Sequence, residues 1–187
     1  RDIIMKYIQR GIMRYDIANE GYTIAGLEKD VDWQCPISNG RMVNLSGRAD
    51  RIDRRADGSL QIIDYKSGNT PHLEYNGMEA LFRGGAQERV SNIFQTMLYS
   101  MILHRKYKLE SCPSLYFASK MLNDDYSPLI LDRTTGAYVE RFSDISEEFE
   151  SELNATLEEL FDYSTPFRQT EDEDMCKYCD FKKICRR

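Results

Sequence analysis

The sequence predicts an α/β fold, a central mixed β-sheet flanked by helices, and three observations carry that prediction. Apolar segments separated by tight-turn residues fill positions 27–66. Helical periodicity follows at 86–107 and again at 144–161. A further apolar segment, Leu115–Met121, lies between those two helices. A strand meander followed by helix, strand and helix is the order of an α/β sandwich.

Taken in order, Ile3, Ile4, Tyr7, Ile8 and Ile12 recur at helical spacing, so residues 2–20 read as an amphipathic helix. From 27 to 35 the pattern alternates. Leu27, Val31, Trp33 and Cys35 share one face, and Glu28, Asp30, Asp32 and Gln34 the other. Asn39-Gly40 signals a hairpin turn into a strand at 41–55. The turn Ala56-Asp57-Gly58-Ser59 leads to a third strand at 60–66, and 67–84 reads as loop or short helix. The 86–107 helix turns Val90, Ile93, Phe94, Met97, Leu98 and Met101 to one side. Weaker strands are expected near 127–131 and 137–142. Asp144 with Glu147 resembles a capping box for a last helix carrying Phe149, Leu153, Leu157 and Leu160 inward. Residues 1–165 are expected to form the core and 166–187 a cysteine-bearing tail.

Composition narrows the class. The chain has 187 residues, enough to bury a proper core. No apolar run approaches the roughly 18 residues of a membrane span, so no membrane partner is expected. The start lacks an initiator Met and a signal pattern, so an excised piece of a larger polypeptide is expected. The odd number of cysteines, 5, argues against a secreted disulfide framework and for an intracellular protein. A net charge of −6 is awkward for a DNA-binding surface, although much of the acid sits in 147–159 and 171–174.

The chemistry concentrates in Gly47-Arg48-Ala49-Asp50-Arg51-Ile52-Asp53 and Ile62-Ile63-Asp64-Tyr65-Lys66-Ser67-Gly68. Strand alternation projects Asp64 and Lys66 together, with Tyr65 opposite, and the tight turn brings Asp50 beside Asp64. Hard carboxylate oxygens select Mg²⁺ or Mn²⁺, with the Tyr65 carbonyl and Glu28 as further candidate ligands. Such an ion lowers the pKa of a bound water, and a lysine beside that water stabilises charge on a phosphate. A lone Asp-x-Lys on a strand is more often a solvated ion pair. Asp53 falls on the face opposite Asp50, where an ion pair with Arg51 or Arg55 is expected.

These two segments resemble motifs II and III of the PD-(D/E)XK nuclease superfamily, in its RecB-like branch. That branch includes the C-terminal nuclease domains of RecB and of AddB-type helicase–nuclease subunits. Gln95-Thr96-Met97-Leu98-Tyr99 is similar to the branch's Q-x-x-x-Y helix motif. The resemblance implies a restriction-endonuclease-like core. It also implies Asp50 and Asp64 as metal ligands, Lys66 as the catalytic lysine, and Gln95 and Tyr99 as supporting residues. The implied function is a DNA exonuclease working with a helicase subunit or helicase-like domain in double-strand break repair, in the bacterial cytoplasm. A non-catalytic DNA-guiding scaffold and a stand-alone CRISPR-adaptation or phage-type exonuclease are the alternatives. One departure stands out. The branch's upstream histidine has no counterpart, because His72 and His104 both follow the motif and the first helix offers only Asp16 and Glu20. The expectation is that it precedes residue 1. Arg48, Arg51, Arg54, Arg83 and Arg89 are candidates for a DNA path, with none singled out.

Cys176, Cys179 and Cys185 form C-x₂-C-x₅-C, which on chemistry alone suits zinc or an iron–sulfur cluster. The resemblance implies a structural 4Fe–4S cluster with a fourth cysteine upstream. Cys35 and Cys112 read as small buried residues instead.

Overall fold

The computed structural model describes residues 2–18, 21–38, 40–68, 73–85, 90–123 and 125–186. Asn39, Glu20, His72 and Arg89, all singled out in the sequence, lie outside the described residues. The main sheet has the order β1 (Thr23–Pro36), β2 (Met42–Arg54), β3 (Leu60–Lys66) and β5 (Ser111–Phe117). The first three are an antiparallel meander, and β3 pairs β5 in parallel, so the sheet is mixed. The β2–β3 turn forms as its residues dictate. Asp57 accepts the Ser59 N–H at 2.9 Å and Gly58 takes φ 86°, a conformation that favours glycine. A small second sheet joins β4 (Glu74–Tyr75), β6 (Leu131–Asp132) and β7 (Ala137–Tyr138).

Helix α4 (Ser91–Tyr107) supplies the crossover from β3 to β5 and covers one face of the sheet. Ile93, Met97, Met101 and Ile102 are buried there against Ile62 and Leu115. Each such side chain contributes about 1.5–3 kcal/mol on burial. Helix α5 (Ser146–Leu160) adds Phe149, Leu153 and Leu157 to the same core, beside the short α3 (Met78–Arg83). The opposite face carries a smaller cluster of Ile63, Tyr116 and Met121, and the N-terminal helical segment reaches it through Ile12.

Several sequence expectations need correction. The first helix runs as α1 (Asp2–Lys6), a π-helical stretch (Tyr7–Ile12) and α2 (Met13–Ala18). Its wider central turns rotate the α-periodic face, so Ile4 and Ile8 are exposed while Gly11 is buried. Leu27 is exposed because the left-handed φ of Glu28, 45°, breaks the alternation between it and Val31; Val31 and Cys35 do point inward. β5 begins at Ser111, earlier than expected, and carries Pro113 within it. Pro113 is tolerated because β5 is the last strand of the main sheet, so the missing N–H removes no main-sheet bond. The capping box is not formed. Asp144 belongs to a 3₁₀ turn (Phe142–Asp144), Ile145 takes the N-cap position, and no side chain caps α5. Leu160, in the last turn of α5, is exposed.

Candidate active site

The β2–β3 ladder ends at the pair Arg51↔Ile63, and the residues beyond it, Asp50 on one strand and Asp64 to Lys66 on the other, lie where the strands part. The Tyr65 N–H, which has no partner in that ladder, donates to Asp50 Oδ2 at 2.8 Å. The backbone of β3 thereby fixes the carboxylate of β2. Ala118 N–H donates to the Lys66 carbonyl, so that carbonyl faces β5. Successive carbonyls alternate sides, which turns the Tyr65 carbonyl toward β2, the side that Asp50 occupies.

Asp64 is buried, with 3% of its surface exposed. Its Oδ2 lies 2.7 Å from Lys66 Nζ, an ion pair whose angle is not that of a directed hydrogen bond, so this buried oxygen has no aligned donor. Burial pushes the Asp64 pKa up; Lys66 opposes the shift and the charge of Asp50 adds to it. Lys66 Nζ also donates to Gln95 Oε1 at 3.4 Å, and Gln95 Nε2 donates to Tyr99 Oη at 2.8 Å. Asp50, Asp64, Lys66, Gln95 and Tyr99 thus form one connected group spanning β2, β3 and α4.

Two features escape the sequence reading. The first is Gly47, quoted in the motif but given no role. A Cβ there would lie 2.4 Å from Tyr99 Cε1 and 2.7 Å from its Oη, so the tyrosine sits directly on the β2 backbone. The second is a buried network on the reverse face. Arg51 Nε donates to Asp53 at 2.8 Å, and Nη1 donates to Asp16 at 2.9 Å and to Tyr65 Oη at 3.1 Å. The Arg51 guanidinium also lies over the Tyr22 ring at 5.1 Å. Burial opposes the charge of Arg51, but the bonds to Asp53, Asp16 and Tyr65 outweigh it and hold its pKa above the ordinary value. The expected ion pair of Asp53 is therefore present, with Arg51.

The remaining candidates are not gathered at the site. Among the described residues no group of three or more His, Cys, Asp or Glu comes together to hold a metal. Glu28 is exposed and does not join Asp50 and Asp64, and Cys176, Cys179 and Cys185 do not converge. The tail has one 3₁₀ turn (Glu173–Cys176), with Phe167, Tyr178, Phe181 and Ile184 exposed around it. The candidate arginines among the described residues are each engaged locally. Arg48 pairs with Asp30, Arg83 with Glu152 and Glu159, Arg54 reaches the Gly58 carbonyl, and Arg51 is buried. His104 Nδ1 meets the Leu109 carbonyl at 3.0 Å. Cys35 and Cys112 are buried, as expected.

The family model of the PD-(D/E)XK nuclease superfamily matches residues 1–186. The chain belongs to the PD-(D/E)XK nuclease superfamily. No relative is found among the curated proteins. Membership accords with the four-stranded mixed sheet flanked by helices, a restriction-endonuclease-like arrangement. Superfamily members are generally nucleases that use Mg²⁺ or a similar divalent metal. The donor set here suits such an ion: two carboxylates, a backbone carbonyl on the same side, and a buried carboxylate oxygen without an aligned donor. No helix is long and apolar enough to cross a membrane among the described residues.

Proposed function

We propose that this chain is a Mg²⁺- or Mn²⁺-dependent deoxyribonuclease, acting as an exonuclease of the RecB-like branch. The observation that supports it most is the parting of β2 and β3, which sets Asp50 and Asp64 side by side and leaves Lys66 2.7 Å from Asp64. Asp50, Asp64 and the Tyr65 carbonyl would hold the cation, which supplies an acidified water and neutralises charge on the phosphate. Lys66 orients the attacking water and stabilises the negative charge that develops on the phosphate oxygens. Gln95 accepts from the ammonium and keeps it aimed at the reacting phosphate, while Tyr99, seated on Gly47, fixes Gln95.

Coupling to a helicase in double-strand break repair is the finer part of the proposal, and it rests on the likeness of the two motifs and the Q-x-x-x-Y helix to AddB-type subunits. A 4Fe–4S cluster on Cys176, Cys179 and Cys185 rests on the likeness to AddB-type nucleases, since the spacing by itself suits zinc equally. These side chains do not converge, and the mechanism makes no use of a cluster.

The test is degradation of end-labelled single-stranded DNA with Mg²⁺ and with Mn²⁺. The protein is expected to cut with either ion, to stop in EDTA, and to lose the activity on Lys66→Ala. Cutting that survives chelation or the lysine substitution would overturn the assignment.

A further inference from the structure

Asp50 and Asp64 stand on two strands that are no longer laddered where the carboxylates sit. The β2–β3 pairing stops at Arg51↔Ile63, whereas β3 stays paired to β5 through Asp64, Tyr65 and Lys66. Continuing the register sets Asp50 opposite Asp64, one step past the last pair. Ladder hydrogen bonds therefore do not fix the gap between them. Tyr65 crosses that gap twice. In the plane of the sheet its N–H donates to Asp50 Oδ2 at 2.8 Å. On the reverse face its hydroxyl accepts from Arg51 Nη1 at 3.1 Å. Arg51 pairs with Ile63, which makes Tyr65 its diagonal neighbour, about 7–8 Å away and within reach of a long side chain.

The arginine that makes this tie is itself held. Its Nε donates to Asp53 at 2.8 Å, and its Nη1 donates to Asp16 at 2.9 Å as well as to Tyr65. Nη2 is buried without a partner among the described residues, so the three bonded groups set the guanidinium's orientation. Asp16 lies on α2, and the helical segment before it is seated where Gly11 meets Met121 and the Ala118 carbonyl. The Tyr65 ring packs edge-on against Tyr116 of β5, with ring centroids 5.7 Å apart. Tyr65 thus joins β2 through Arg51, β5 through Tyr116 and the N-terminal helix through Arg51 and Asp16.

We infer that Tyr65 is a positioning residue whose hydroxyl, held by Arg51 and Asp16, sets the spacing of Asp50 and Asp64 and thereby the cation they accept. The inference rests on the metal-nuclease reading and adds what tunes the site. Mg²⁺ demands near-ideal octahedral geometry at roughly 2.0–2.1 Å, whereas Ca²⁺ takes about 6–8 oxygens at about 2.3–2.6 Å in flexible arrangements. A carboxylate pair held at one spacing suits Mg²⁺. A pair free to part loses Mg²⁺ before it loses Ca²⁺.

The experiment measures Mn²⁺ binding from the electron paramagnetic resonance signal of the free ion, for the parent, Tyr65→Phe, Asp16→Ala and Asp64→Asn. Mg²⁺ and Ca²⁺ affinities follow by displacement of the bound Mn²⁺, with urea unfolding and DNA cleavage measured alongside. Tyr65→Phe should weaken Mg²⁺ at least about 10-fold and Ca²⁺ much less, and Asp16→Ala should shift the ratio the same way by a smaller factor. Equal loss for both ions, or a lower urea midpoint with parental affinities, makes Tyr65 merely structural and overturns the inference while leaving the nuclease standing. Parental affinities in Asp64→Asn would place the ion elsewhere and overturn the metal site together with the inference. A parent that discriminates the ions through Tyr65 but never cuts DNA supports the positioning role and overturns the nuclease reading alone.

Discussion

Asp64 is buried against a cation and beside a second carboxylate, and that position costs stability. Burial raises its pKa above the unfolded value, with Lys66 opposing and Asp50 adding. The folded state therefore binds the proton more tightly, so stability declines as pH rises from the unfolded carboxylate value through the folded one. Asp64→Asn removes that penalty. Its Tm is expected to exceed the parent's by a few degrees at pH 7, with the difference shrinking toward pH 3. Adding Mg²⁺ should lift the parent's Tm and leave the variant's unmoved. A variant that melts below the parent at pH 7 would contradict this placement of the charge. Gly47 is a second residue with a disproportionate part. In Gly47→Ala the new methyl group collides with the Tyr99 ring, which must leave Gln95 and thereby loosen Lys66. Cleavage is expected to slow by about 100-fold with the fold intact. An unchanged single-turnover rate would show that Tyr99 takes no part in setting the lysine.

At the scale of elements, Tyr65 is held from both faces of β3. Its N–H fixes Asp50, and its hydroxyl accepts from Arg51, which is also bonded to Asp53 and to Asp16 of α2. Arg51→Met leaves Asp53 buried without its cation, at a cost of about 3–5 kcal/mol. Urea unfolding should show that loss, and the double variant Arg51→Met/Asp53→Leu should recover most of it. Equal stability of single and double variants would mean that the pair is not coupled. Much of this was legible beforehand, because strand parity alone separates Asp64 and Lys66 from Asp53, Arg51 and Tyr65. The β2–β3 turn, carried by Asp57 and Gly58, was equally local and equally readable. What parity could not supply were departures from regular geometry. The left-handed Glu28 exposes Leu27, and the π turns expose Ile4 and Ile8. The seat of Tyr99 on Gly47 depends on how α4 crosses the sheet, which no local pattern encodes.

At the scale of the whole molecule, charge is divided by region. Acidic α5 is matched in part by Arg83, which meets Glu152 and Glu159, and by Arg105, which meets Glu150. The fold thus brings an acid–lysine group to the point where two strands part. The account rests on that group being catalytic. The most direct measurement is the single-turnover rate of cleavage of end-labelled single-stranded DNA in Mg²⁺, for the parent protein and for Lys66→Ala. The account predicts cleavage by the parent and a loss of about 10²–10³ in the variant, with DNA binding retained. A variant that cuts as fast as the parent, or a parent that binds DNA and Mg²⁺ without cutting, would contradict it.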